Sequence, residues 1–221
     1  MEAPTCTLSN FGGRDHDLID SGFLADCEVV CDGRTWKLHK LILCSRSNYF
    51  RDRLLDDLSK LENNKVVIED FNAQQMGLVI SYIYAGNVKF EHMMRKGERL
   101  QTSMQLLKLG LYFRIDELFF DVYNFIYDHF IPSILCSARQ GELSVDLKDW
   151  AASCRLVYGT SPKIVGDRCL KNIFLSLTFD DGDFRKEILQ MPEFKALCLE
   201  YRDFGSDSMI KLLAINALVV E

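Results

Sequence analysis

Cys27 and Cys31 are the first residues whose types and spacing invite chemistry. Two thiolates that close together hold zinc when two further Cys or His stand near them, and here none does. On a strand both side chains point to one face with Val29 between them, which reads as a packed face. His16, His39, His92 and His129 are the candidate bases for a Cys or Ser nucleophile, a pairing made in space rather than in sequence. No Gly-x-Ser-x-Gly, His-Glu-x-x-His or phosphate-cradling glycine loop accompanies them, and Gly12-Gly13 lacks the Lys-Ser/Thr of a nucleotide loop. The chain is therefore read as a non-enzyme with no metal and no cofactor. His39 is assigned a structural place at a strand-to-helix corner, bonding backbone groups. Asp26 and Lys40 are the remaining charged candidates, either an ordinary ion pair or the edge of an interface.

The elements that must position these residues follow from local pattern. Cys27–Cys31 and Arg34–Leu38 are β-prone runs joined by Asp32-Gly33, a pair suited to positive φ angles, so a hairpin is predicted. A helix from His39 to about Cys44 follows. A second helix starts near Ser47 and turns Tyr49, Phe50, Leu54 and Leu58 toward the core. Lys65–Glu69 is a strand by β-branching. Asn72 with Gln75 makes a capping box for a helix whose stripe is Met76, Val79, Ile80, Ile83 and Tyr84, and Gly86 stops it. Further helices are predicted over about 101–112, 116–130, 146–158, 164–178, 184–189, 193–200 and 206–220. Residues 1–16 show no sustained period and read as a mobile arm, and 132–143 read as a linker after Pro132.

Composition narrows the partners. A formal charge of −6 over 221 residues disfavours nucleic acid, which needs clustered Lys and Arg. No apolar run approaches the length of a membrane helix, and no signal peptide is read at Met1-Glu-Ala-Pro-Thr. The eight cysteines are scattered through apolar segments and are expected to be reduced, small core residues. Leu18, Ile19, Phe23 and Leu24 form an apolar set beside Gly22 that a small monomer would not readily expose, so self-association is expected there.

Asp26, the hairpin, His39-Lys40, the apolar run Leu41-Ile42-Leu43, and Ser47-Asn48-Tyr49-Phe50 together resemble the BTB/POZ domain, and Tyr82-Ile-Tyr-Ala-Gly86 resembles its later signature with Ala85 as a departure. The resemblance implies an α+β fold, a small sheet capped by helices over 17–131, followed by an all-helical C-terminal extension over 144–221. Leu156-Val-Tyr158 and Thr160-Ser-Pro162 resemble the segment that follows this domain in many filamentous-fungal proteins.

The resemblance implies protein binding in the cytoplasm or nucleus. The partners would be a second copy or another BTB protein, a cullin scaffold, and a client protein held by the extension. It places Asp26 and Lys40 with Leu18, Ile19, Phe23 and Leu24 at a dimer groove. It also places a cullin-facing surface on Tyr49, Phe50, Leu54, Leu58 and Lys60. Lys60 stands where the resemblance implies Glu, which reverses the charge at that point. The function implied is an adaptor of a cullin-type ubiquitin ligase, with a non-ligase scaffold or a transcription or signalling cofactor as the alternative.

Overall fold

A computed structural model of the chain describes residues 16–56, 64–86, 97–130, 144–159 and 167–218. They divide into two compact units: Met1–Met93 with Leu109–Phe119, and Met94–Lys108 with Phe120–Glu221.

The first unit is built on a three-stranded sheet in the order β2-β1-β3. The short helix α1 (His16–Ser21) precedes β1 (Cys27–Cys31) and β2 (Arg34–Leu38). The two strands pair antiparallel with Cys27 opposite Leu38 and Cys31 opposite Arg34. Asp32 and Gly33 sit at φ 48 and 73, the two positive values a primed two-residue turn requires. β3 (Lys65–Ile68) lies parallel on the other side of β1. Alternation sends Cys27, Val29, Cys31, Trp36, Leu38, Val66 and Ile68 into the core. Cys31 Sγ also donates to the Phe71 carbonyl at 3.0 Å, so the Cys27/Cys31 face is packed and hydrogen-bonded.

Helices cover that sheet. α2 (Lys40–Arg46) leads to α3 (Asn48–Arg51), which widens into a π-helical turn over Asp52–Asp56. Ser47 caps α3, accepting the Phe50 N–H at 3.3 Å while its hydroxyl donates to the Phe113 carbonyl at 2.6 Å. α4 (Ala73–Ala85) has the capping box, with Gln75 N–H to Asn72 Oδ1 at 2.9 Å and Asn72 N–H to Gln75 Oε1 at 3.1 Å. It ends at Gly86, whose φ of 71 closes the helix as only glycine does without strain. Its whole predicted stripe is buried.

α5 (Arg99–Phe113) and α6 (Asp116–Phe125, continued as a π turn over Ile126–Phe130) follow. The division between the units falls within α5. Residues 94–108 and 120–130 thus belong to the same compact unit as the extension. That extension is α7 (Ser144–Tyr158), α8 (Asp167–Phe179), α9 (Gly182–Gln190), α10 (Pro192–Glu200) and α11 (Arg202–Leu218). Asp149 of α7, itself 2% exposed, accepts the N–H groups of Leu100 at 2.7 Å and Gln101 at 2.9 Å. A distant helix thereby supplies a side-chain cap at the start of α5. Trp150, fully buried, packs with Phe174 and Phe204, and its indole N–H donates to Thr178 Oγ1 at 2.9 Å.

The cysteines need one correction. Cys27, Cys31, Cys44, Cys154, Cys169 and Cys198 are free thiols, but only the first four are buried: Cys169 is exposed and Cys198 half-buried. Cys169 lies in the first turn of α8, at the edge of its buried face and beside exposed Arg168 and Asn172, so its place at the helix end overrides the usual tendency of Cys to be buried. Cys6 and Cys136 lie outside the described residues.

Candidate functional site

The strand-to-helix corner at His39 organises the most unusual surface of the first unit. The Tyr84 hydroxyl, on a ring that is 1% exposed, accepts the His39 main-chain N–H at 2.9 Å and meets Nδ1 at 2.9 Å. Nε2 lies 2.7 Å from the Phe23 carbonyl. A carbonyl only accepts, so Nε2 carries a proton and donates it, while Nδ1 and the Tyr84 hydroxyl share the second hydrogen bond. His39 thereby ties the 22–26 loop to α4. The structural place assigned to it from sequence is the one it occupies.

That loop is strained and apolar. Leu24 sits at φ 60, in the left-handed region where a side chain like leucine is disfavoured. Phe23 is 65% exposed, Leu24 77%, and Leu41, in the first turn of α2, 82%. Strain combined with an exposed apolar side chain is what a contact surface retains and a monomer's core does not. Leu41 escaped the sequence reading, although a helical wheel shows it: it lies about 200° from Leu43, which is buried, so it must face outward. Leu18 and Ile19 are half-buried. Of the expected apolar set, Phe23 and Leu24 are therefore the most available.

Asp26 and Lys40 meet differently from an ion pair. Asp26 Oδ1 accepts the main-chain N–H of Lys40 at 2.8 Å, giving α2 the side-chain cap that His39 does not provide. The Lys40 ammonium donates instead to Asn64 Oδ1 at 2.6 Å. Both residues border the loop, but the carboxylate is occupied in starting the helix.

The second expected surface narrows. Phe50 and Leu54 are wholly buried, so they serve the core and cannot touch a partner. The apolar phase of the helix turns them inward, with Phe50 stacked on Phe113 at 5.7 Å. Tyr49 is half-buried under the Arg53 guanidinium, 5.0 Å from its ring, and burial raises its hydroxyl above the ordinary tyrosine value. Leu55 is 48% exposed nearby. Leu58 and Lys60 lie outside the described residues. Among the described residues no group of three or more His, Cys, Asp or Glu converges in a way that would hold a metal, and no helix is long and apolar enough to cross a membrane.

A small three-stranded sheet capped by helices, with an exposed apolar corner, is the architecture of a protein-interaction domain. The chain belongs to the BTB/POZ domain family, whose profile matches residues 16–129. Among curated proteins it is similar to Kelch-like protein 40 of Xenopus laevis, 32% identical over 73 residues, which are 33% of this chain and 12% of that protein. It is likewise similar to human Kelch repeat and BTB domain-containing protein 4, 28% identical over 88 residues, 40% of this chain and 16% of that protein. The matched stretch thus spans well under a fifth of either relative. Among solved structures it is similar to the BTB domain of human gigaxonin, with 19% identity and a TM-score of 0.39, covering 57% of this chain and 96% of that one.

Proposed function

We propose that this chain is a self-associating interaction module that serves as a substrate adaptor of a cullin-type ubiquitin ligase. Membership of a protein-interaction family supports the coarse reading. The observation that carries self-association is the His39-anchored loop, with Phe23, Leu24 and Leu41 exposed around it and Leu24 held at positive φ. A symmetric pair would bury that apolar corner against its own copy. The cullin-facing surface would be the outer side of α3 and its π turn, where Tyr49, Arg53 and Leu55 stand, with Leu58 and Lys60, outside the described residues, as its further members. A client would be held by the helical extension, and the protein would work in the cytoplasm or nucleus.

Lys60 favours a second reading. A positive charge where the adaptor resemblance implies a glutamate suits a scaffold, or a transcription or signalling cofactor, that pairs with BTB partners and recruits no cullin. Affinity purification from native cells separates the two. A stoichiometric cullin supports the adaptor, while its absence alongside recovered BTB partners supports the scaffold. Light scattering tests self-association. A wild-type chain that stays monomeric, or a Leu24→Asp variant whose assemblies are as large as its parent's, would sink that part of the proposal.

A further inference from the structure

The last helix carries a surface that the reading above leaves unused. Along α11, Phe204 and Ser208 are buried, and Lys211, Leu212 and Ile215 are half-buried against the unit. The opposite face is open and apolar: Met209 is 60% exposed, Ile210 66% and Leu213 62%, with Ala214 and Ala217 also exposed. Ser206, Ile210, Leu213 and Ala217 recur at alternating spacings of four and three, the register of a helix-pairing seam. Of the flanking positions, Met209, Ala214 and Asn216 are uncharged, and the charged one, Asp207, is held within the unit by the Tyr158 hydroxyl at 3.1 Å.

We propose that α11 is a second self-association surface, on which two copies of this chain pair their α11 helices antiparallel about a two-fold axis. The proposal is independent of the pairing at the Leu24 corner. Area supports a second copy as the occupant: with Met209, Ile210 and Leu213 each about 60–66% open, the face exposes on the order of 500 Å² per chain, so a pair buries at most about 1,000 Å², the lower bound of a specific interface. Beside the seam α8 and α11 flank a groove of about 670 Å³, lined mainly by charged and polar groups such as Arg168, Lys171, Asp203 and Asp207, with Ile210 and Ala214 on its seam side.

Charge decides the direction. One Ile layer and one Leu layer favour a parallel pair only weakly. A parallel pair would set Asp203, which continues the seam toward the N-terminus, against its own copy, a like-charge contact. Reversing one helix places each acidic end beside the apolar end of the other and aligns the helix dipoles favourably. Ile210 then packs on Leu213 of the second copy, and Ser206 on its Ala217.

The test is sedimentation velocity on the full chain in a Leu24→Asp background, which isolates this step from the other corner. Ile210→Glu with Leu213→Glu should weaken the remaining association by about thirtyfold or more, as expected for the centre of an interface. Its circular dichroism should match the parent, because both side chains are solvent-facing. Unchanged association in that variant, or none in the Leu24→Asp parent, would overturn the proposal and leave the seam to a helix of another protein. Mixing Ser206→Cys chains with Ala217→Cys chains under mild oxidation gives an independent readout. A disulfide linking position 206 to position 217 is expected. Products linking like positions, or no cross-link, would refute the antiparallel pair.

Discussion

Replacing Asp149 should unsettle the second unit more than any surface change to it. The carboxylate is 2% exposed and accepts two α5 N–H groups, from Leu100 at 2.7 Å and Gln101 at 2.9 Å. Leu100 is buried as well, so its N–H finds no water when the carboxylate is removed. A lost cap costs about 0.5–2 kcal/mol, and hydrogen bonds to a charged, buried acceptor about 1.5–3 kcal/mol each, terms that overlap rather than add. The favourable charge at a helix N-terminus adds up to about 2 kcal/mol in partly buried geometries. Asp149→Ala should therefore lose about 2–4 kcal/mol, a large share of a typical stability of about 5–15 kcal/mol. Asp149→Asn keeps one acceptor oxygen without the charge and should lose about half as much. Urea unfolding with tryptophan fluorescence reads this directly, because Trp150 is the next residue in the chain. Asp183→Asn, at an 80% exposed side chain, is the control and should change stability by under about 0.5 kcal/mol. A loss below about 0.5 kcal/mol for Asp149→Ala would refute the idea that α7 caps α5.

Other expectations follow from the same structure. Leu24→Gly should relieve left-handed strain and leave the monomer as stable or up to about 1 kcal/mol more so, while weakening self-association; chemical unfolding and light scattering on one sample check both. Tyr84→Phe leaves the His39 N–H and ring unpartnered by that hydroxyl and should cost about 1–3 kcal/mol, which thermal unfolding measures. Ser208 is buried with its hydroxyl unpaired among the described residues, so Ser208→Ala should be neutral or stabilising, and a loss above about 1 kcal/mol would contradict the packing there. Burial pushes the Cys27 thiol up to about 12, against an ordinary 9.0. Native alkylation should label exposed Cys169 and spare Cys27 until the protein unfolds. The unfolded chain releases the Cys27 proton near the ordinary value while the fold retains it. That contribution is therefore complete below about pH 9 and falls away as pH rises toward 12, which unfolding curves across that window will show.

Sequence alone determined the elements whose causes are local. The Asp32-Gly33 turn, the Asn72/Gln75 capping box and the Gly86 stop are each a few adjacent residues whose backbone preferences leave little choice, and period-two burial in β1 follows from strand geometry. The same locality made the BTB/POZ resemblance legible, since its motif runs through one hairpin and the helix after it.

Tertiary structure decided what depends on partners far apart in the chain. No pattern near Asp26 says that its carboxylate will start α2 rather than meet the Lys40 ammonium, and Asn64 takes that ammonium from 24 residues away. Helical spacing turned Phe50 and Leu54 toward the core while the resemblance set them on a partner surface, and their complete burial, with Phe50 stacked on Phe113, shows that they serve the core. A linker read at 132–143 separates two stretches in sequence, whereas Asp149 joins α7 to the start of α5, 49 residues earlier. Local propensity is written in neighbouring residues; which buried donor meets which acceptor is settled only when the chain closes on itself and every dry polar group must find a partner.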